Sequence, residues 1–256
     1  MKIATWNVNS LRVRLGHILD WATVQEPDVI CLQETKSKDE NFPTDELQEA
    51  GYASVYSGQP AYNGVAILSK SPVSDTLIGI PDYDDSQRRV IATTVTGVRV
   101  INLYIPNGQY VGSDKFHYKL EWLQALTRWL QKELAISQCL VVTGDFNIAP
   151  EDVDVHDPEA WRDKILCSED ERSAFSKLLD LGLKDCFRLF EQAPNTFSWW
   201  DYRAGGFRRN HGLRIDHILA NDAFAATCTA CNIDREPRMW ERPSDHAPVI
   251  AEFSAK

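Results

Sequence analysis

Cys139-Leu-Val-Val-Thr-Gly-Asp145-Phe-Asn147-Ile-Ala-Pro150 is the stretch on which the predicted fold depends. Its short apolar run with β-branched residues is typical of a buried strand, and Gly144 allows the backbone to turn where the run stops. Asp145 and Asn147 follow one residue apart, so a strand-like backbone would point both side chains the same way. Such a pair can hold a metal, orient a phosphoryl group or position a water. An Asx turn that closes the strand is the commoner use of these residues, and the segment alone favours it.

The totals set broad limits on the rest of the chain. A length of 256 residues is enough for a large core, and no linker, repeat or low-complexity tract interrupts it, so we expect a single domain over residues 1–256. The net charge of −10 argues against a protein that coats nucleic acid nonspecifically, although it leaves room for a local basic face. A cluster of acids that binds a cation would contribute to the negative total.

Cysteine usage and the N-terminus predict a cytoplasmic protein. The six cysteines, at positions 31, 139, 167, 186, 228 and 231, include one CxxC pair without a second, so zinc-finger spacing is absent. We expect free thiols in a reducing compartment. Met1 leads directly into a predicted strand, which is unlike a signal peptide, and no apolar run is long enough to span a membrane.

The hydrophobic pattern predicts alternating strands and helices. A strand over residues 2–8, a helix over 10–25 and a strand over 28–34 follow each other with short connections, as in an α/β unit. Ser168 and Glu171 form a capping box that opens a helix ending near Leu181. The other predicted strands cover residues 52–56, 64–69, 90–95, 99–104, 139–145, 213–220 and 244–253, and the other predicted helix covers 115–135.

Polar residues stand where several of these strands begin or end. Four strands finish at Asn7, Glu34, Tyr104 and Asp145, a fifth carries Asp216 near its start, and Asp245-His246 precedes the core of the last one. Each residue alone has an ordinary structural explanation, such as a turn former or a helix-dipole partner. If the strands belong to one sandwich, however, these ends can converge on one rim.

This set of side chains suits metal-assisted phosphoester hydrolysis. Oxygen ligands without a Cys/His cage favour Mg²⁺ or Mn²⁺ over zinc. An Asp–His pair suits proton handling, since the carboxylate fixes the imidazole tautomer. A cation and hydrogen-bond donors stabilise the charged transition state while an acid or a histidine serves the attacking water.

Eight blocks of sequence resemble a known family. In order they are Trp6-Asn-Val-Asn9, Leu32-Gln-Glu-Thr35, Gly64-Val-Ala, Gln87-Arg-Arg89, Gly144-Asp-Phe-Asn147, Trp199-Trp-Asp-Tyr202, Gly212-Leu-Arg-Ile-Asp216 and Ser244-Asp-His-Ala-Pro248. They resemble the blocks of the exonuclease III family of abasic-site endonucleases, which belongs to the endonuclease/exonuclease/phosphatase superfamily together with DNase I. The resemblance covers nearly the whole chain. It implies a four-layered α/β sandwich, in which two mostly antiparallel sheets pack together and helices cover them.

The same resemblance implies a cation site for Mg²⁺, with Mn²⁺ as a substitute. Glu34 is implied as the principal ligand, with Asn7 beside it and Asp245 as a further acid. The complete implied ligand set is Asn7, Glu34, Asp145, Asn147, Asp245 and His246.

The resemblance also implies catalytic roles. Asp145, helped by Asn147, is expected to orient or deprotonate the attacking water. His246, held by Asp216, is expected to contact the phosphate, and Tyr104 is expected to donate to the phosphate or to the leaving group.

Substrate contacts are expected from loops. Arg88 or Arg89, Lys115, Arg203, Arg208 and Arg209 are candidates for backbone phosphate contacts, although solvated surface charge explains any one of them equally well. Trp199, Leu213 and Ile215 match the family's apolar pocket for a flipped-out abasic sugar, with plain core packing as the alternative, above all for Ile215. The resemblance also implies Asn107 as a helper near Tyr104. Some relatives favour 3′-end trimming over abasic incision according to bulk near this pocket. Leu166 is our candidate for a side chain that narrows it.

The leading prediction is a Mg²⁺-dependent DNA repair phosphodiesterase. It would cut duplex DNA 5′ to abasic sites, clear blocked 3′ ends and remove 3′ nucleotides, acting as a monomer without an obligate protein partner. One alternative is an enzyme that mainly trims 3′ ends. A phosphatase of inositol phosphates or a nonspecific nuclease is disfavoured by the Trp-Asp-Tyr and Gly-Leu-Arg-Ile-Asp blocks. A nonenzymatic RNA-associated regulator on the same fold is disfavoured because every catalytic position is intact.

Overall fold

Two six-stranded sheets form the centre of the computed structural model, which describes residues 1–254. Numbered along the chain, the strands are β1 (Lys2–Asn7), β2 (Val29–Gln33), β3 (Ala53–Ser57), β4 (Val65–Ser69), β5 (Val73–Ile78), β6 (Val90–Val95), β7 (Val98–Tyr104), β8 (Cys139–Asp145), β9 (Leu183–Asp185), β10 (Trp199–Trp200), β11 (Gly212–Leu213), β12 (Asp216–Asn221), β13 (Cys228–Ile233) and β14 (Val249–Phe253). The helices are α1 (Leu11–Gln25), α2 (Thr44–Glu49), α3 (Asp114–Ile136), α4 (Pro158–Trp161), α5 (Glu169–Asp180), α6 (Gly206–Arg209) and α7 (Asp222–Ala225). Residues 255 and 256 of the predicted domain lie outside the described residues, and its extent stays a prediction.

The two sheets have related topologies. Their strand orders are β13-β14-β1-β2-β4-β3 and β5-β6-β7-β8-β12-β9, and β10 pairs with β11 in a separate ribbon. In each sheet the central pair is parallel, β1 with β2 and β7 with β8, whereas the other neighbours are antiparallel. The carboxyl ends of each parallel pair therefore share one edge of their sheet.

Side chains along each strand point alternately to the two faces of the sheet, and this alternation forms the apolar layers of the fold. In β1, Ile3 joins the apolar layer between the sheets, where Val100 and Val141 of the second sheet also lie. Ala4 and Trp6 point to the opposite face and pack under α1. Helices α3 and α5 cover the outer face of the second sheet in the same way. This arrangement confirms the predicted four-layered α/β sandwich with mostly antiparallel sheets.

A buried amide joins the two sheets near the rim that carries the candidate site. Asn102 of β7 is fully buried, and its Nδ2 donates to Leu32 O at 2.9 Å and to Ala66 O at 2.8 Å in the first sheet. Its Oδ1 accepts from Gln33 Nε2 at 2.7 Å. Because buried polar groups cost free energy when they are unpaired, these bonds favour one relative placement of the sheets.

The structure differs from the predicted strands in several places. The predicted strand over residues 213–220 is divided into β11 and β12, because Arg214 N donates to Asp154 O at 2.9 Å and draws the chain out of the sheet. The last strand begins only at Val249, since Pro248 has no N–H and Ala247 N donates to Ser198 O. Four short or polar strands, β5, β9, β10 and β13, were not predicted, because their sequences lack a regular apolar alternation.

Other expectations are confirmed. The capping box of Ser168 and Glu171 opens α5, and all six cysteines are free thiols. None of the helices within residues 1–254 combines the length and the apolar character needed to cross a bilayer.

Gly144 has a different role from the predicted turn. It lies inside β8 with φ +145°, and an added Cβ would stand 1.9 Å from Leu103 O on the parallel neighbour β7. The glycine therefore allows the two strands that carry Tyr104 and Asp145 to approach each other closely.

We predict that Gly144→Ala lowers the free energy of unfolding by about 2–4 kcal/mol, because the methyl group meets a backbone oxygen and the φ angle is unfavourable for alanine. Urea denaturation measures the change. The control is Gly16→Ala in α1, where nothing lies within 4 Å of the added Cβ and where alanine should stabilise by about 0.5–1 kcal/mol. Equal effects of the two substitutions would contradict this role for Gly144.

Candidate active site

A cleft at the shared rim of the two sheets gathers most of the predicted site residues. Its volume is about 320 Å³. It lies beyond the carboxyl ends of β2, β7 and β8, and the loops before α5, after β10 and before β14 complete its walls. The lining residues are Glu34, Tyr104, Asn107, Asp145, Asn147, Trp161, Ile165, Leu166, Trp199, Asp201, Arg203, Ile215, Asp245 and His246.

Asn7 joins one carboxylate from each sheet at the floor of this cleft. Its Nδ2 donates to Glu34 Oε1 and to Asp145 Oδ2, each at 2.9 Å. Its Oδ1 accepts from Asn9 N at 3.0 Å. Asn7 therefore faces the cleft with its amide nitrogen and aligns two acids that the sequence separates by more than a hundred positions. To offer its oxygen to a cation, the amide would have to turn over and give up the bond to Asn9.

Glu34 is held in its ionised form. Burial opposes the charge, but Lys36 at 2.8 Å from Oε2 and the amide of Asn7 lower the pKa of Glu34 below its ordinary value. Tyr104 Oη donates to Glu34 Oε1 at 2.8 Å. Burial and the nearby acids Glu34 and Asp145 raise the pKa of Tyr104, so the phenol keeps its proton and remains a donor.

His246 lies between two buried carboxylates. Its Nδ1 contacts Asp216 Oδ2 at 2.9 Å, and its Nε2 lies 3.7 Å from Asp145 Oδ2. Burial lowers the pKa of His246, but Asp216 and Asp145 outweigh it and raise the pKa to about 10. Asp216 is held in turn by Ser198 Oγ at 2.6 Å. At neutral pH this group is therefore an imidazolium with Nε2 directed toward Asp145.

Asp145 combines two roles that the sequence left as alternatives. Its Oδ1 accepts from Asn147 N at 2.9 Å, which is the Asx turn. Its Oδ2 faces the cleft beside Asn7 and His246. Burial raises the pKa of Asp145 to about 7, against the opposing charge of His246.

Asn147 and Asp245 are each fixed by bonds to neighbouring loops. Asn147 Oδ1 accepts from Asn107 Nδ2 at 3.1 Å, and Asn147 Nδ2 donates to Ile105 O at 3.0 Å. Asp245 accepts from Trp199 Nε1 and from Asn9 Nδ2, each at 3.0 Å. Burial opposes ionisation of Asp245, but His246 and these bonds lower its pKa.

The donor set fits a hard divalent cation. Glu34 and Asp145 converge on one amide nitrogen, and Asp145, Asp216 and His246 offer ligand atoms within 4.8 Å of one another. Carboxylate oxygens that crowd together in this way repel each other unless positive charge lies between or beside them. Oxygen-rich sites of this kind suit Mg²⁺ or Mn²⁺.

The predicted substrate-contact residues occupy different depths. Arg203 is exposed at the cleft and pairs with Asp201. Trp199 and Ile215 line the cleft, whereas Leu213 is fully buried in the apolar cluster behind them. Arg89 is only 9% exposed, and its guanidinium lies 4.7 Å from the centre of the Tyr104 ring.

The remaining predicted basic residues lie outside the lining of the cleft. Arg88, Lys115, Arg208 and Arg209 are all exposed. Leu166 lies at the cleft with φ +73° and is almost completely buried among apolar neighbours.

Several residues of the site were not singled out from the sequence. Lys36 neutralises Glu34, and its position two residues after that acid was an available signal. Ser198 holds Asp216 from a segment with no distinctive pattern. Lys119 interrupts the apolar stripe of α3, which was also a readable signal, since a cation on a buried face needs a partner.

Comparison with known proteins gives consistent results. The model of the endonuclease/exonuclease/phosphatase family matches residues 4–246. The exodeoxyribonuclease III of Haemophilus influenzae is 38% identical, over 99% of this chain and 100% of the relative.

Two solved structures share the whole fold. A 3′ phosphatase from Neisseria, bound to a product DNA hairpin, superposes with a TM-score of 0.98 at 50% identity and covers 100% of both chains. An abasic-site endonuclease from Archaeoglobus fulgidus superposes with a TM-score of 0.96 at 39% identity, again with 100% of both chains covered.

The two buried histidines next to the strand ends give a test of the electrostatics. We predict that His246 is protonated at pH 7, because its pKa is about 10. His217 should be neutral, because burial and Arg214 lower its pKa to about 4. In Asp216→Asn the pKa of His246 should fall, since its principal counter-charge is lost.

Titration of the histidine ring signals by NMR, on metal-free protein, measures both values. His217 is the internal control, because Asp216→Asn should leave its pKa unchanged. A neutral His246 in the wild-type protein at pH 7 would contradict the assignment.

Proposed function

The chain belongs to the endonuclease/exonuclease/phosphatase family, within its exonuclease III group of DNA repair nucleases, and from this premise we propose that it hydrolyses phosphodiester bonds of duplex DNA with a bound Mg²⁺. Mn²⁺ would substitute. The observation that carries the proposal is the convergence of Glu34 and Asp145 on the amide of Asn7, next to the imidazolium of His246. Negative oxygens and a fixed positive donor on one small cleft suit a phosphate group and its cation.

Glu34, Asp145 and Asp245 would hold the cation. Asn7, Asn147 and His246, the other members of the predicted ligand set, would align these carboxylates or offer further donor atoms. When bound, the cation supplies Lewis-acid stabilisation of the phosphate oxygens. Lys36 keeps Glu34 ionised when no cation is bound.

Asp145, with Asn147, would orient the attacking water and accept its proton. Without the cation, burial raises the pKa of Asp145 to about 7, and a cation on the same carboxylate would lower it. The proposed part of Asp145 in proton transfer therefore rests on the position of Oδ2 at the cleft. The bond from Asn147 N fixes Oδ1, so Oδ2 is the oxygen that faces the cleft.

His246 and Tyr104 would stabilise the charge that develops on the phosphate. Asp216 fixes Nδ1 of His246, so the proton on Nε2 is the one available to a phosphate oxygen. Tyr104 keeps its phenolic proton and can donate it to the phosphate or to the leaving oxygen. Asn107 lies at the edge of the cleft beside Asn147 and would help to hold the phosphate.

DNA is the proposed partner of this face. Arg203 at the cleft would contact backbone phosphates and offset the overall negative charge of the protein. The exposed Arg88, Lys115, Arg208 and Arg209 would add further phosphate contacts. Trp199 and Ile215, backed by Leu213, would form the apolar wall against an abasic sugar. Arg89 would act mainly through the ring of Tyr104, which it supports. The protein would act as a monomer in the cytoplasm.

Incision 5′ to abasic sites, clearing of blocked 3′ ends and 3′→5′ exonuclease activity are the reactions proposed. A second candidate is an enzyme that mainly trims 3′ ends. Two observations favour it: the bulky Leu166 at the cleft, and the 50% identity to a Neisseria 3′ phosphatase compared with 39% to an abasic-site endonuclease. Two aligned carboxylates beside a charged histidine favour an enzyme over a nonenzymatic regulator.

We predict a single EDTA-sensitive cut 5′ to the lesion when the protein acts on a duplex with one tetrahydrofuran abasic analogue and Mg²⁺. Asp145→Asn should lower the single-turnover rate by roughly 1,000-fold, because a neutral amide cannot accept a proton. Denaturing gel electrophoresis measures the products. Asp82→Asn is the control, since that acid is exposed in an ion pair with Lys132 outside the cleft.

Cleavage at many positions would indicate a general nuclease. Trimming from the 3′ end without internal incision would favour the second candidate, and binding without cleavage would refute the enzymatic proposal.

We predict that Leu166→Gly raises the ratio of abasic incision to 3′ trimming by roughly 10-fold, because the pocket gains room for the sugar. Glycine accepts the φ of +73° without strain, but loss of this buried leucine should lower the free energy of unfolding by about 2–5 kcal/mol, so the assays are run well below the melting temperature of the variant. Parallel assays on an abasic duplex and on a 3′-recessed duplex give the ratio. Asn195→Gly is the control, because it makes the same backbone change at φ +57° on an exposed loop. An unchanged ratio in Leu166→Gly would rule out this role for Leu166.

A further inference from the structure

A fully buried ion pair lies directly behind the cleft. Lys119 of α3 and Glu171 of α5 have no exposed side-chain surface. The ammonium of Lys119 donates to Glu171 Oε1, to Asn147 O at 2.7 Å and to Asn107 O at 3.2 Å. Its three protons therefore all have acceptors, and two of these acceptors belong to residues of the candidate site.

Glu171 extends the same network to the wall of the cleft. Its carboxylate accepts from Leu166 N at 3.1 Å, from Ser168 N at 3.2 Å and from Ser168 Oγ at 2.6 Å. The capping box of α5 thus includes the backbone of Leu166. One ion pair consequently ties together the loop after β7, the loop after β8 and the loop before α5.

The packing around Lys119 leaves these loops little alternative. An added Cβ at Gly108 would lie 2.8 Å from Ile165 Cδ1 and 3.2 Å from Lys119 Cδ, so the Asn107 loop rests on the stem of the lysine. Burial lowers the pKa of Lys119, while Glu171 opposes this shift. Neither charge can be satisfied by water, and loss of one partner would leave the other buried and unpaired.

We propose that Lys119 and Glu171 are positioning residues for the reaction, which hold Asn107, Asn147 and Leu166 in one arrangement without touching the substrate. This inference rests on the proposed nuclease function. Placement errors of about 1 Å at a reacting centre can cost about 100-fold in rate. The ion pair would act on the chemical step more than on DNA binding, because it contacts no exposed surface.

The chain offers a matched control on the same helix. Arg99 and Glu133 also form a mostly buried ion pair, with Nε and Oε2 2.9 Å apart, and Glu133 belongs to α3. Arg99 stands near the start of β7, roughly 17 Å along the strand from Tyr104 at the rate of rise of an extended chain. Disruption of this pair should destabilise the fold without altering the cleft.

The experiment compares Lys119→Met with Arg99→Met by two readouts. Hydrogen–deuterium exchange should speed up in segments 105–109, 145–149 and 164–168 of Lys119→Met and should keep its wild-type rate there in Arg99→Met. The rate constant for single-turnover cleavage of the abasic duplex, measured well below the melting temperature, should fall about 100-fold in Lys119→Met. The DNA concentration that gives half of the maximal rate should stay within about threefold of the wild-type value. Arg99→Met should cleave at close to the wild-type rate.

Glu171→Gln is the second variant, because it keeps the shape of the side chain if Lys119→Met fails to fold. It should show the same pattern to a smaller degree. A normal rate with faster exchange, or equal exchange in the Lys119 and Arg99 variants, would overturn the positioning role. Absence of cleavage by the wild-type protein would instead refute the proposed function, and the catalytic part of this inference would fail with it.

Discussion

The site depends on the meeting of two parallel strand pairs at one rim. Pairing of β1 with β2 brings Asn7 beside Glu34, and pairing of β7 with β8 brings Tyr104 beside Asp145. The amide of Asn7 then links one acid from each sheet. Any displacement of one sheet against the other would break this bond, so the packing of the whole sandwich sets the geometry of a few side chains.

Charged side chains beneath and beside the cleft hold its polar groups in place. Asp216 fixes His246 from below, Lys36 holds Glu34, and the pair of Lys119 and Glu171 holds three loops. Buried ion pairs contribute little net stability but penalise other arrangements strongly. Apolar side chains in these places would provide more stability, whereas the ion pairs orient the polar atoms of the cleft before a substrate binds.

Local patterns predicted the strand ends but could not predict how they are joined. Apolar runs that stop at Asn7 and Asp145 are visible in the sequence, and the family resemblance gives the sandwich. The division of residues 213–220 depends on Asp154, which binds Arg214 from far away in the chain, so no local pattern reports it. The role of Gly144 likewise depends on Leu103 of another strand. The position of Lys119 within an apolar stripe of α3 was visible in the sequence. The three atoms that accept its hydrogen bonds could not be predicted, because they come from other elements.

The central claim is that Glu34 and Asp145 share one divalent cation at the rim. Anomalous X-ray scattering from crystals soaked in Mn²⁺ tests it most directly, because the peak marks the ion independently of any assay. The expected result is a principal peak between these two carboxylates that disappears in Glu34→Gln. A strong peak elsewhere on the protein, with none beside Glu34 and Asp145, would contradict it.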